Sequence, residues 1–224
     1  MREKGRNSRF TNIVILSCFS VYLILLLKEK SFIIDFINSY GLIPLPFIEG
    51  YNYYSLIAYM FIHVDFTHLI SNMFALYSVG STLEKNLGSS TFGTIFLLSG
   101  ILSGLLHCML NPSSTITVIG ASGAIFGIIA VLFLFMPFTL TTALLIPLPG
   151  VVLGLILLSV EAMAIISKES VGIAHDIHLY GFITGSACAF MIDYDKALRG
   201  LIIAVTVLLI IYIMGIYLNN LEIH

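Results

Sequence analysis

Seven apolar runs divide this chain, each long enough to cross or nearly cross the hydrocarbon layer of a membrane, which is about 30 Å thick. They fall at 11–27, 57–80, 91–110, 119–136, 150–166, 173–192 and 198–217. The breaks carry charges, Pro or Gly: "KEK" at 28–30, "LEKNLGSS" at 83–90, "NPSST" at 111–115, Pro137 to Gly150, "SKES" at 167–170 and "DYDKALRG" at 193–200. In hydrocarbon a backbone must satisfy its own hydrogen bonds, so such runs become helices. Composition agrees: 58% of the residues are hydrophobic and 10% are charged, against about 25% charged in soluble domains. The mean hydropathy is +1.04. A soluble core of 224 residues could not hide so much apolar side chain. The chain therefore reads as an all-α polytopic membrane protein whose solvent is the lipid bilayer. A net charge of −2 leaves no basic face for nucleic acid. Cys18, Cys108 and Cys188 are odd in number, far apart and set in apolar runs. They read as small hydrophobes rather than a disulfide framework.

The basic opening "MREKGRNSRF" precedes the first apolar run, and "LLLKEKSF" stands where a small-residue cleavage site would be needed. The first run is therefore read as an uncleaved helix. With the N-terminus in the cytoplasm, Arg2, Lys4, Arg6, Arg9, Lys85, Lys196 and Arg199 lie inside, and Lys28, Lys30 and Lys168 lie outside. The positive-inside rule favours that orientation, with the C-terminus outside. The second, fourth and sixth helices then run from outside inward, and their N-terminal ends share one depth. Residues 31–56 are apolar but broken by Gly41, Pro44, Pro46 and Gly50. They are expected to form an interfacial, partly embedded loop. A prokaryotic plasma membrane suits so compact a chain.

Ionisable residues inside spans are expensive and point to function. "FIHVDFTHLISNMF" at 61–74 opens the second helix with His63, Asp65, His68 and Asn72. His68 and Asn72 are four apart and share a face. His63, five before His68, would lie about 140° round the helix and point elsewhere. "AHDIHLYGFITG" at 174–185 opens the sixth helix with His175, Asp176 and His178, and "GASGAIFG" at 120–127 opens the fourth with Ser122. Alone, Ser122 reads as a small packing residue. With a histidine at the same depth it reads as a nucleophile, because a serine needs a base within hydrogen-bond reach. His178 can be that base. Acyl transfer also needs donors aimed at a developing oxyanion. The N–H groups around Ala121 and Ser122, free at a helix start, can supply some, and His68 and Asn72 can supply more. Gly123 and Gly127 on the fourth helix, and Gly181 and Gly185 on the sixth, are each four apart. Such pairs let two helices approach closely.

At these residues the sequence resembles the rhomboid intramembrane serine proteases. The resemblance covers about 50–195. It rests on a GxSG motif (Gly120, Ala121, Ser122, Gly123), an H-x-x-G-x-x-x-G motif (His178, Gly181, Gly185), an H-x-x-x-x-H-x-x-x-N motif (His63, His68, Asn72), and an acidic-basic pair followed by glycine (Glu84, Lys85, Gly88). It implies a six-helix core at 11–195 after a cytoplasmic N-terminus at 1–10, with a seventh helix and short tail at 196–224. It implies hydrolysis of peptide bonds in or beside transmembrane segments of membrane-protein substrates. Ser122 would be the nucleophile and His178 the base, with His68, Asn72 and the Ala121 region stabilising the oxyanion. Gly120, Gly123, Gly127, Gly181 and Gly185 would support packing, and His63, Glu84 and His175 would be structural. No cofactor is implied, and with no third acidic member the pair would act as a dyad. Entry would be lateral, past the fifth helix and the loop at 167–172, with Gly172 as its hinge.

The sequence departs from the family where a Trp-Arg pair is usual and Tyr54-Ser55 stands here. That puts the anchoring of the first outside loop in question. Leu179-Tyr180 replaces a pair that is often small, which sets Tyr180 near the dyad. The other readings are a catalytically inactive relative that binds client helices, and a small transporter; no internal repeat supports the transporter. A metal site is not expected, since no HExxH-like spacing occurs. His107 stands alone near the outer end of the third helix, and Glu161 in the fifth has no assigned role. Substrate identity and oligomeric state are left open.

Overall fold

A computed structural model describes residues 8–167 and 174–222. The chain is an all-α polytopic membrane protein. Its helices are α1 (Arg9–Leu26), α2 (Lys30–Tyr40), α3 (Pro44–Ile48), α4 (Ser55–Ala58), α5 (Phe66–Ala75), α6 (Ser81–Leu87), α7 (Ser89–Leu110), α8 (Ser122–Phe135), α9 (Gly150–Ser167), α10 (His175–Ile192) and α11 (Tyr194–Glu222). α1, α7, α9 and α11 are each long and apolar enough to cross a membrane. A two-residue antiparallel ribbon, Leu140–Thr141 with Leu148–Pro149, lies in the connection from α8 to α9.

The apolar run at 57–80 is not one helix. α4 gives way to a 3₁₀ turn at Tyr59–Phe61, and the long helical path starts only at Phe66. Asp65 sets that start. Its backbone is extended and its carboxylate accepts the His68 N–H at 2.8 Å, which satisfies one of the orphan donors of a helix N-terminus. From Phe66 the path continues through a π turn at Leu76–Gly80 into α6. The fourth helix also starts later than its apolar run, at Ser122. Gly120 has φ of +116°, which no helix accommodates. α11 starts before its run, because the Asp193 carboxylate accepts the Lys196 N–H at 3.0 Å.

Residues 31–56, expected as a loop, hold most of α2, all of α3 and the start of α4. α2 carries Phe32, Phe36 and Tyr40 four apart, and they form a ladder that ends on Tyr54. Phe32, Ile34, Tyr40 and Tyr54 are exposed, as suits a helix lying in a membrane interface. The anchor of this segment is not at Tyr54-Ser55. Leu42 pairs with Val118 through two backbone bonds. Tyr59, fully buried, donates its hydroxyl to the Gly100 carbonyl at 2.7 Å.

α8 is the axis of the fold, with all of its residues except Ser122 buried. Small residues set the distances around it. A methyl added at Gly181 or Gly185 on α10 would fall on the carbonyls of Gly123 and Gly127. On the α7 side, Gly123 and Gly127 face Ser103 and Ser99, and Gly200 of α11 lies on the Leu134 carbonyl. α8 and α10 therefore approach backbone to backbone, and side chains at their outer ends can touch.

Glu84 holds the first helix in place. Its carboxylate accepts the N–H groups of Phe10 and Thr11 at 2.8 Å each, the Thr11 hydroxyl at 2.7 Å and the Ser89 hydroxyl at 2.5 Å. Phe10 and Thr11 lie in the first turn of α1, so a buried acid on α6 caps another helix where the helix dipole favours an anion. Glu84 lies past the end of the apolar run. Burial pushes its carboxyl up, but the bonds from Ser89, Thr11 and Phe10 outweigh burial and hold it below the ordinary range. A carboxyl depressed by folding contributes stability above its unfolded value, and that stability is lost as pH falls through the folded value. Glu84→Ala leaves the buried Thr11 amide and the part-buried Phe10 amide without their partner and is expected to destabilise by about 3 kcal/mol. Thermal melting in detergent at pH 7 checks this, and the wild-type advantage should shrink as the pH falls below about 4.

Candidate active site

Three helix starts converge on one cavity of about 960 Å³. α5 contributes His68 and Asn72, with Asp65 at its cap. α8 contributes Ser122, preceded by Gly120. α10 contributes His175, Asp176 and His178, and His107 and Asn111 close it from the end of α7. These polar groups share the lining with apolar side chains such as Ile37, Ile116 and Ile177.

Ser122 and His178 meet there. His178 Nε2 lies 2.7 Å from Ser122 Oγ. The contact follows from the glycine packing of α8 on α10 described above. The His178 ring is stacked on Phe126, with centroids 4.5 Å apart and planes 3° apart. Phe126 stands one turn after Ser122 on the same face, so one helix carries both the hydroxyl and the surface that fixes the ring opposite it. Such a pair is worth about 1 kcal/mol beyond the area it buries. The i, i+4 spacing of Ser122 and Phe126 is the sequence signal for this stacking.

The other nitrogen of His178 is also engaged. Nδ1 lies 2.9 Å from Glu161 Oε1, and the second carboxylate oxygen of Glu161 lies 2.5 Å from His175 Nδ1. This corrects the expectation that no acidic residue accompanies the pair. The acid comes from α9, and no sequence spacing links it to His178. Glu161, His175 and His178 also bring three possible metal-ligand atoms within 4.8 Å of one another. The convergence that HExxH-like spacing failed to indicate therefore exists in space. Each histidine nitrogen in it directly faces a carboxylate oxygen, so the three groups satisfy one another.

His68 stands over Gly120. A methyl built on Gly120 would lie 2.7 Å from His68 Nε2 and 3.9 Å from Ser122 Oγ. His68 and the Ser122 hydroxyl therefore border the same small space. The Gly120 N–H is tied to the Tyr59 carbonyl at 2.9 Å. The next N–H groups, at Ala121 and Ser122, belong to a helix start and have no partner within α8. Asn72 donates to the His68 carbonyl at 2.9 Å, and its Oδ1 is buried without a partner among the described residues. One N–H of that amide is thus committed to α5, and one is left.

His63 does not point away from His68. The two rings meet edge to face with centroids 4.9 Å apart. His63 precedes the helix, so the angle computed from helical geometry did not apply to it. It is buried, and neither ring nitrogen has a hydrogen-bond partner among the described residues. His107 is likewise not alone. Its Nδ1 lies 2.7 Å from Asp176 Oδ2, which also accepts from Asn111 at 3.0 Å. This network ties α7 to the first turn of α10, beside His178. The loop 168–172 and Gly172, read as part of an entry route, lie outside the described residues.

The rhomboid domain profile matches residues 51–195, more than half of the chain. The chain belongs to the rhomboid family. The putative rhomboid protease YdcA of Bacillus subtilis is 34% identical over 96 residues, 40% of this chain and 47% of that protein. The rhomboid protease GluP of the same bacterium is 38% identical over 71 residues, 32% of this chain and 13% of its own length. RHOMBOID-like protein 5 of Arabidopsis thaliana is 30% identical over 89 residues, 40% of this chain and 29% of that protein. This chain thus spans less than half of the curated relatives it matches. The matched segment 51–195 contains all the cavity-lining residues that come from α5, α7, α8 and α10.

Proposed function

We propose that this rhomboid protein is an intramembrane serine endopeptidase that hydrolyses peptide bonds in or beside the transmembrane segments of membrane-protein substrates. The observation that carries the reading is the 2.7 Å contact between His178 Nε2 and Ser122 Oγ inside the cavity where the starts of α5, α8 and α10 converge. A relative that only binds clients has no use for a serine bonded to a histidine at that place.

In this reading Ser122 Oγ attacks the scissile carbonyl carbon while His178 Nε2 takes the hydroxyl proton. The carbonyl oxygen becomes an oxyanion, met by the Ser122 N–H, His68 and the remaining N–H of Asn72. His178 then gives its proton to the leaving amine. Water adds to the acyl-enzyme by the reverse sequence, with His178 again as base. No step calls for a cofactor. The cavity supplies the water. A substrate helix must unwind locally, since its amides are otherwise bonded within the helix. Entry is lateral, past α9. The N-terminus is cytoplasmic and the C-terminus outside, so the cavity opens to the outer face, and the core at 11–195 is followed by an added helix. The relatives come from a bacterium, a yeast mitochondrion and a plant, and the protein is integral to a membrane.

The test is cleavage of a generic single-span substrate by purified protein in liposomes, with and without a chelator. Wild-type protein should cut it and Ser122→Ala should not. Cleavage that survives Ser122→Ala would overturn the assignment of the nucleophile, and chelator-sensitive cleavage would move the chemistry to a metal.

A further inference from the structure

Resting on that reading, we infer that Glu161 is the third member of the catalytic group, a positioning residue that holds His178 in the working tautomer and makes the base's readiness depend on the seating of α9.

Three observations carry this. First, the two nitrogens of His178 have opposite partners. Nδ1 faces Glu161 Oε1 at 2.9 Å and Nε2 faces Ser122 Oγ at 2.7 Å. An ionised carboxylate only accepts, so the shared proton sits on Nδ1, and Nε2 is left as the acceptor for the serine hydroxyl. Second, the carboxylate cannot swing away, because its other oxygen is held by His175 Nδ1. Third, Glu161 is where the outer half of α9 attaches. The buried residues of α9 are Gly150, Val151, Leu153, Gly154 and then Glu161 alone. Around it Val160, Met163, Ile165 and Ile166 are exposed. Among the described residues, Glu161 is the one buried side chain in the far half of α9, it links that half to His175 and His178 of α10, and its carboxylate faces the base.

During acylation the Ser122 proton moves to Nε2 as Oγ bonds to the carbonyl carbon, and the C=O π pair becomes the oxyanion. The Nδ1 proton stays on His178. Glu161 stays ionised and stabilises the imidazolium that forms. If α9 moves from α10, the Nδ1 bond breaks, the ring is free to flip or change tautomer, and Ser122 loses its base.

The experiment uses full-length protein in liposomes. Glu161→Gln keeps the shape and removes the charge. The expected result is a fall in kcat of about 10²–10⁴-fold with KM changed less than about threefold. The rate of fluorophosphonate labelling at Ser122 should fall in parallel. A merely structural role would lower the melting temperature and leave kcat per folded molecule unchanged, and that outcome overturns the inference while leaving the protease reading intact. The second measurement needs neither the Glu161 variant nor a substrate: nitrogen NMR of wild-type protein labelled at the histidine imidazoles, with the His178 signal assigned by its loss in His178→Ala. A proton on Nδ1 supports the inference, and a proton on Nε2 overturns it. This arm stands even if Glu161→Gln fails to fold, or if the wild type proves not to be a protease. Activity lost to a chelator and restored by zinc would also overturn it, since the carboxylate and two histidines would then be holding a metal.

Discussion

Ser122→Ala and His178→Ala should each lower kcat/KM by about 10⁴–10⁶-fold, and the double variant should be no slower than either alone. A nucleophile and its base act as one unit, so removing the second after the first takes away little more. The 2.7 Å contact between His178 Nε2 and Ser122 Oγ is the observation on which this expectation rests. What survives is the rate given by binding and by oxyanion donors acting on water, which serine hydrolases retain at about 10³–10⁴-fold over solution. Neither variant should unfold the protein. Ser122 is half-buried, and losing one hydrogen bond costs about 1 kcal/mol. His178→Ala empties a site stacked on Phe126, so it should melt lower than Ser122→Ala. The two variants differ in one further readout. Fluorophosphonate labelling should vanish in Ser122→Ala and persist, much slowed, in His178→Ala, because the hydroxyl is still present without its base. Multiplying losses in the double variant would mean that His178 acts elsewhere than on Ser122.

Hydropathy and residue spacing carry the apolar runs and the motifs of this chain, and these are what its sequence displays. Apolar runs locate helices because lipid leaves the backbone no alternative. Ser122, His178, His68 and Asn72 could be singled out because three of the four motifs stand near the starts of α5, α8 and α10, and the structure brings these residues to one cavity. The failures have a common cause. Hydropathy does not report backbone conformation, so the run at 57–80 hid a 3₁₀ turn and a helix start fixed by Asp65, and His63 was placed on a helix it precedes. Pairings between helices leave no local trace either. His107 looked solitary because its partner Asp176 is 69 residues away. Glu161 was flagged only as an acid out of place in an apolar run. Its bond to His178 depends on how α9 lies against α10, which no spacing within α9 encodes. Glu84 was recognised as part of a motif, but its use as a cap for α1 depends on a chain crossing that the sequence does not display.

Gly120→Ala should lower kcat by about 10²-fold or more while the protein stays folded. Two effects act at this residue. Its φ of +116° lies where an L side chain is strained, at a cost of about 1–3 kcal/mol. An added methyl would also stand 2.7 Å from His68 Nε2 and push that ring from the space it shares with Ser122 Oγ. If His68 is an oxyanion donor, displacing it amounts to deleting it, and deletion of one such donor lowers kcat by about 10²–10³-fold. His68→Ala should therefore show a similar loss, with KM little changed, since the donor serves the transition state more than the bound substrate. The combination separates the two effects. In Gly120→Ala/His68→Ala the methyl no longer meets a ring, so the double variant should be about as active as His68→Ala. Any further deficit measures the strain at the start of α8, which would misplace the N–H groups of Ala121 and Ser122. Full kcat in His68→Ala would remove the ring from the oxyanion site and leave the Ser122 N–H and Asn72 to stabilise it.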